Sequence, residues 1–164
     1  MKIIIFTEGT ILMHRGAVGH TREEIVQQVI HKESSVGDYS TYAPIKGAVE
    51  KIKKWVDQGA EIVYMTSRRR QKEVRQIRDV LDAYHFPKGT VKYRGWFEKY
   101  KDVAESIMPD VLIEDDCESI GGEKEMTYSR IKPELKKSIT SIIVKEFGGI
   151  DHLPDGMSFL QTWK

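Results

Sequence analysis

Ile3-Ile4-Ile5-Phe6-Thr7-Glu8-Gly9-Thr10 opens the chain and decides its fold. An unbroken apolar run ends abruptly in polar residues and glycine, the pattern of a strand buried on both faces of a parallel sheet. The pattern returns at Glu61-Ile62-Val63-Tyr64-Met65, at Val111-Leu112-Ile113 and at Ile142-Ile143-Val144, each bounded by polar residues or glycine. Between these runs apolar residues recur at helical spacing. Ile45, Val49, Ile52 and Val56 form a stripe that stops at Gly59, a residue suited to the left-handed position after a helix. Val74, Ile77, Leu81 and Tyr84 form a second stripe, and Phe97, Val103, Ala104 and Ile107 a third, closed by Pro109. Strands alternating with such helices predict an α/β protein with a Rossmann-like, three-layer, doubly wound parallel sheet.

Residues 11–44 break the alternation. Thr21 and Glu24 have the spacing of a capping box, opening a helix with Ile25, Val26, Val29 and Ile30 on one face. A polar stretch from Ser34 to Thr41 follows. No repeat, low-complexity tract or proline-rich linker divides the chain. The organisation expected is one domain over residues 1–164, with a small cap or flap inserted at about residues 11–44 over the end of the first strand.

Composition narrows the classes. The 26 lysines and arginines balance 25 acidic residues, so net charge selects no partner. The one cysteine, Cys117, excludes an internal disulfide, and no apolar run is long enough to span a bilayer or to serve as a signal-peptide core. The chain therefore reads as cytoplasmic, with no membrane partner.

In a doubly wound sheet, ligands gather at the carboxyl ends of the strands. Those ends carry Thr7-Glu8-Gly9-Thr10, Thr66-Ser67-Arg68 and Asp115-Asp116, while Lys99 and Lys101 open the helix that leads to the Val111 strand. Hydroxyls and a lysine suit phosphate oxygens, and paired carboxylates suit a hard cation such as Mg²⁺. The Thr66-Ser67 pair also has the composition of a helix cap.

The order of these pieces resembles the haloacid dehalogenase-like superfamily along nearly the whole chain. That family's pattern is a strand ending in Asp-x-Asp-Gly-Thr, a strand ending in Thr or Ser, a Lys, and a strand ending in an acidic pair. Here they correspond to Ile3-Ile4-Ile5-Phe6-Thr7-Glu8-Gly9-Thr10, Val63-Tyr64-Met65-Thr66-Ser67-Arg68, Lys101 or Lys99, and Val111-Leu112-Ile113-Glu114-Asp115-Asp116. The first motif departs from the pattern. Aligned on Gly9-Thr10, the family's nucleophilic Asp is Phe6 and its acid/base Asp is Glu8; aligned on the strand with one residue deleted, the nucleophile falls at Thr7. A phenyl ring or a hydroxyl there removes both phospho-aspartyl catalysis and one metal ligand.

The resemblance implies Thr7, Gly9, Thr10, Thr66, Ser67 and Arg68 as phosphate-binding residues, Asp115 and Asp116 as Mg²⁺ ligands, and Glu8 and Lys101 as the groups left for catalysis. Three functions follow. One is a ligand-binding or regulatory protein that takes a small phosphorylated molecule or nucleotide, with Mg²⁺ optional. Another is a phosphatase-like hydrolase in which Glu8 and a cation at Asp115 and Asp116 activate water. A third is nucleotide or nucleic-acid binding through Arg68, Arg69, Arg70, Lys72, Arg75 and Arg78, a cluster that also reads as a solvated helix face. Tyr93, Trp96, Phe97 and Tyr100, near Arg94, read as core aromatics.

Overall fold

A computed structural model describes residues 1–163. In chain order the elements are β1 (Lys2–Phe6), β2 (Leu12–Met13), α1 (Arg22–Ile30), β3 (Ala43–Pro44), α2 (Ala48–Asp57), β4 (Glu61–Met65), α3 (Gln71–Ala83), β5 (Thr90–Lys92), α4 (Tyr100–Ile107), β6 (Val111–Asp115), α5 (Pro133–Lys136), β7 (Thr140–Val144) and α6 (Met157–Gln161). Five strands form one sheet in the order β5-β4-β1-β6-β7, and every pairing in it is parallel. The chain winds outward from β1 through β4 to β5, then returns to lay β6 on the other side of β1. That reversal opens a crevice beyond the carboxyl ends of β1 and β6.

The central place of β1 follows from its sequence. Ile3, Ile4 and Ile5 are fully buried, and successive side chains of a strand point to opposite faces. Ile3 and Ile5 pack with Ile52 and Trp55 of α2 and Ile77 of α3. Ile4 packs with Val103 and Ala104 of α4 and with Leu112 of β6. Burying each such side chain contributes about 1.5–3 kcal/mol, so only a position covered by helices on both faces suits this run.

Four of the sequence expectations change in detail. The first stripe predicts a helix from Ile45, whereas α2 begins at Ala48; Ile45 instead packs with Ala17, Ile25 and Val26 and ties the inserted segment to the body. Gly59 does adopt a positive φ of 92° beyond the helix. Phe97 lies outside α4, because the Asp102 carboxylate accepts the Lys99 amide at 2.8 Å and fixes the helix start after Lys99. Trp96 and Phe97 are exposed on the surface rather than in the core. Strand β7 is an edge, so Ile143 in the middle of its apolar run faces solvent.

The inserted segment is stapled at its base by the antiparallel β2–β3 pair. Its capping box forms as the spacing predicts: the Thr21 amide donates to Glu24 Oε2 at 2.8 Å, and the Glu24 amide donates to Thr21 Oγ1 at 3.3 Å. The polar stretch folds into 3-10 turns at Ser34–Gly37 and Tyr39–Thr41. Among the described residues no helix is long and apolar enough to cross a membrane.

Candidate functional site

Beyond the carboxyl ends of β1, β4 and β6 lies a cleft of about 230 Å³. Phe6, Glu8 and Gly9 line it from β1, Ser67 and Arg68 from β4, and Asp115 from β6. His14, Tyr39 and Tyr42 of the inserted segment also border it. The sheet therefore brings the strand-end residues to one rim, as parallel strands of matched register must.

One side of the cleft is a cradle for an oxyanion, and Glu8 fills it. Thr66 Oγ1 donates to Glu8 Oε1 at 2.7 Å, while the Ser67 amide donates to Oε2 at 3.2 Å. Thr7 Oγ1 donates to Oε2 at 2.5 Å, and Arg68 Nε lies 3.3 Å from Oε1. Thr7 and Thr66 are fully buried, so the Thr66 hydroxyl depends on this carboxylate in place of water, while that of Thr7 also lies 3.3 Å from the Met65 carbonyl. Burial works against the charge on Arg68, but the Glu8 carboxylate and the neighbouring phenols outweigh it and hold the guanidinium more firmly protonated than usual. The Arg68 amide donates to Thr66 Oγ1 at 3.1 Å, which orients that hydroxyl toward Glu8.

The other side is acidic. Asp115 and Glu146 border the cleft and Asp116 adjoins them off its wall; each offers a carboxylate oxygen, and these atoms lie within 4.8 Å of one another. Thr10 Oγ1 donates to Asp115 Oδ2 at 2.8 Å and the Cys117 amide to Oδ1 at 2.9 Å. Burial nevertheless pushes the Asp115 carboxyl up to about 6. Glu146 is also raised, first by burial, although the amide and hydroxyl of Ser119 both donate to it. For Asp116 burial acts in the same direction, but the Glu146 amide and Lys145 outweigh it and hold its carboxyl below the ordinary value. Three hard oxygen donors, two of them short of countercharge, fit Mg²⁺. When bound, such a cation would supply positive charge beside an anionic ligand.

Gly9 makes this proximity achievable. Its φ is 83°, and a Cβ there would lie 2.8 Å from Asp115 Oδ2, so any larger residue would displace the acidic group from the β1 turn.

Phe6, at the position aligned with the family's nucleophile, is half-buried and packs edge-on against Tyr100 with ring centroids 5.6 Å apart. Thr7, the alternative under the other alignment, turns its hydroxyl to Glu8. Lys101 does not border the cleft; its Nζ lies 3.7 Å from Asp102. The cation that does enter is Arg68. Lys99 is the residue preceding α4 and is likewise absent from the cleft wall.

Glu146 and His14 are among the bordering residues that escape the sequence reading. Glu146 stands two positions beyond the end of β7, and the rule that selects Asp115 applies equally to that strand end. His14 has no such signal, since it enters from the inserted segment. It is buried, with Nδ1 2.8 Å from Ser35 Oγ and Nε2 without a partner, and burial holds its pKa below the ordinary value.

No protein-family model matches the chain, and no curated protein matches it in sequence. Among solved structures, a chain of the Pnkp1/Rnl/Hen1 RNA repair complex is 12% identical with a TM-score of 0.52, the match covering 88% of this chain and 43% of that one. A D,D-heptose 1,7-bisphosphate phosphatase from Burkholderia thailandensis matches at 10% identity and a TM-score of 0.43, over 89% of this chain and 92% of that one. A universal stress protein in complex with cAMP matches at 10% identity and a TM-score of 0.36, over 88% and 94%. This chain spans less than half the length of the first of these, and the likeness to it is one of fold: a parallel sheet between helical layers.

Proposed function

We propose that the cleft binds the phosphoryl group of a small phosphorylated molecule, with a divalent cation at the acidic cluster, and that the protein forms no phospho-aspartyl intermediate. The observation that carries this reading is the cradle itself. A hydroxyl, a backbone amide and a guanidinium converge on the two oxygens of the Glu8 carboxylate, and the same donors suit phosphate oxygens. The order of strand-end motifs, which resembles the haloacid dehalogenase-like superfamily, supports the same assignment. Glu8 then leaves the cradle as the ligand enters and faces it from the β1 turn. Asp115, Asp116 and Glu146 would hold the cation, with Glu146 of the β7 end making up for the carboxylate that Phe6 does not provide.

The chemistry of Phe6 gives the test. A phenyl ring neither attacks phosphorus nor ligates a metal. Mass spectrometry after incubation with acetyl phosphate and Mg²⁺ should find residues 1–10 unmodified. A phosphoryl group on a carboxylate of that peptide would overturn the reading and restore covalent catalysis.

A further inference from the structure

Next to the cleft, the loop after β5 and the start of α3 build a second pocket of about 250 Å³, bordered by Arg69, Arg70, Gln71, Tyr93, Arg94 and Trp96. The Arg69 guanidinium lies over the Trp96 ring at 4.8 Å from its centroid, and that of Arg94 lies over Tyr100 at 4.9 Å. Gln71 Nε2 donates to the Tyr93 hydroxyl at 2.6 Å and fixes that ring at the pocket edge. Among the described residues, Arg69, Arg70 and Arg94 form no ion pair. The Nε atoms of Arg69 and Arg94 are buried without any hydrogen-bond partner. The nearby Glu98 carboxylate is engaged by the Gly95 amide at 2.7 Å. No side chain caps the first turn of α3, because its N-cap is Arg70, which has no acceptor.

Beside these cations stand two large aromatics outside the core, Trp96 with only the Arg69 guanidinium over its ring. Trp96 is 80% exposed and Phe97 fully so, where burial of either would bring a large gain. Guanidiniums without a countercharge, of which Arg69 spends one N–H on the Trp96 carbonyl at 3.4 Å, uncapped helix amides and an indole largely open to solvent call together for one ligand chemistry: anionic groups joined to flat aromatic rings.

We propose that this pocket is a binding site for single-stranded nucleic acid, with backbone phosphates against Arg69, Arg70 and Arg94 and a base stacked on Trp96. A duplex keeps its bases stacked inside and offers no ring to Trp96, which is why single strands are favoured. The two sites adjoin: Arg68 borders the cleft and its neighbour Arg69 the pocket, and Tyr100, beneath Arg94, borders the cleft as well. A strand lying on the patch therefore delivers its phosphorylated end to the cradle. That last step rests on the proposed function of the cleft, whereas the patch stands without it.

Fluorescence anisotropy with labelled single-stranded hexamers, carrying either a terminal phosphate or a terminal hydroxyl, tests both parts on the full chain. Wild-type protein should bind both, the phosphorylated hexamer more tightly, with affinity falling as salt rises. Trp96→Ala should weaken both by roughly 5- to 150-fold, the loss expected for one stacked base. Arg69→Ala should weaken both and flatten the salt dependence. Trp96 is exposed, so its removal leaves the fold intact, and unchanged melting verifies this. Equal binding of both hexamers, sensitive to Trp96→Ala, would keep the patch and overturn delivery to the cleft. Binding that is absent, indifferent to Trp96→Ala, no stronger than that of a mononucleotide, or equal for duplex would overturn the proposal.

Discussion

Glu8 is held by four donors, and its removal has consequences of opposite sign for stability and for ligand binding. Glu8→Gln keeps the shape of the side chain but takes the anion away from Arg68, whose side chain is 29% exposed. Losing a charge-assisted contact of this kind costs about 1–3 kcal/mol. In phosphate-free buffer the variant should therefore melt below wild type, and millimolar phosphate should restore more of the loss than it adds to wild type. A variant that melts as wild type, with no response to phosphate, would show that the cradle does not need an anion. Asp115 yields a pH prediction. Its carboxyl is raised from 3.8 to about 6 by burial, so between those values the folded state binds the proton that the unfolded state releases. Stability contributed by the protonated form is complete below about pH 4 and is lost as pH rises through about 6, up to about 3 kcal/mol in the metal-free protein. Asp115→Asn should flatten that part of the stability profile. Mg²⁺ should raise the melting temperature more at pH 7.5 than at pH 5, since the cation needs the carboxylate ionised. A metal response independent of pH would contradict this assignment.

The elements show which local signals survive folding. Glycine after α2 and the capping box of α1 were legible because each depends on a few adjacent residues. Unbroken apolar runs mark β1, β4 and β6, where two-sided burial suits them, and also β7, although its edge position leaves Ile143 in solvent. β5 escaped, being a short edge strand with exposed Thr90 and Lys92 flanking Val91. Within the aromatic group at Tyr93–Tyr100, Tyr100 packs against the core, whereas composition does not tell that Trp96 and Phe97 fall in the loop before α4. Beside the core packing of Tyr42 and Ile45, the inserted segment meets the cleft through Arg68, whose Nη1 donates to the Tyr39 hydroxyl and whose guanidinium lies 4.6 Å from the centroid of that ring. Tyr39 in turn packs on Tyr42 at 5.3 Å. Arg68→Ala should release this segment while leaving the sheet intact. Hydrogen exchange at residues 34–42 should accelerate on the order of tenfold, the loss of about 1.4 kcal/mol of local stability, with β1 and β4 unchanged. Equal protection in wild type and variant would show that the segment is held by other contacts.

At the scale of the molecule, the winding of the sheet does most of the assembly. Placing β1 between β4 and β6 brings Glu8, Thr66 and Asp115 to one rim from distant parts of the chain, and this much follows from alternation and strand-end rules. What alternation does not specify is which side chains occupy each other. Glu8 reads from sequence as a base facing a ligand, and only the approach of β1 to β4 makes it the partner of Thr66, Ser67 and Arg68. The central claim is that these donors form a phosphate cradle in which Glu8 stands in for the ligand. Isothermal titration of inorganic phosphate into wild type and Glu8→Gln addresses it directly. Because the variant has neither the competing carboxylate nor its repulsion, it should bind phosphate at least about tenfold more tightly than wild type, equivalent to about 1.4 kcal/mol. No binding in either protein, or weaker binding in the variant, would contradict the account.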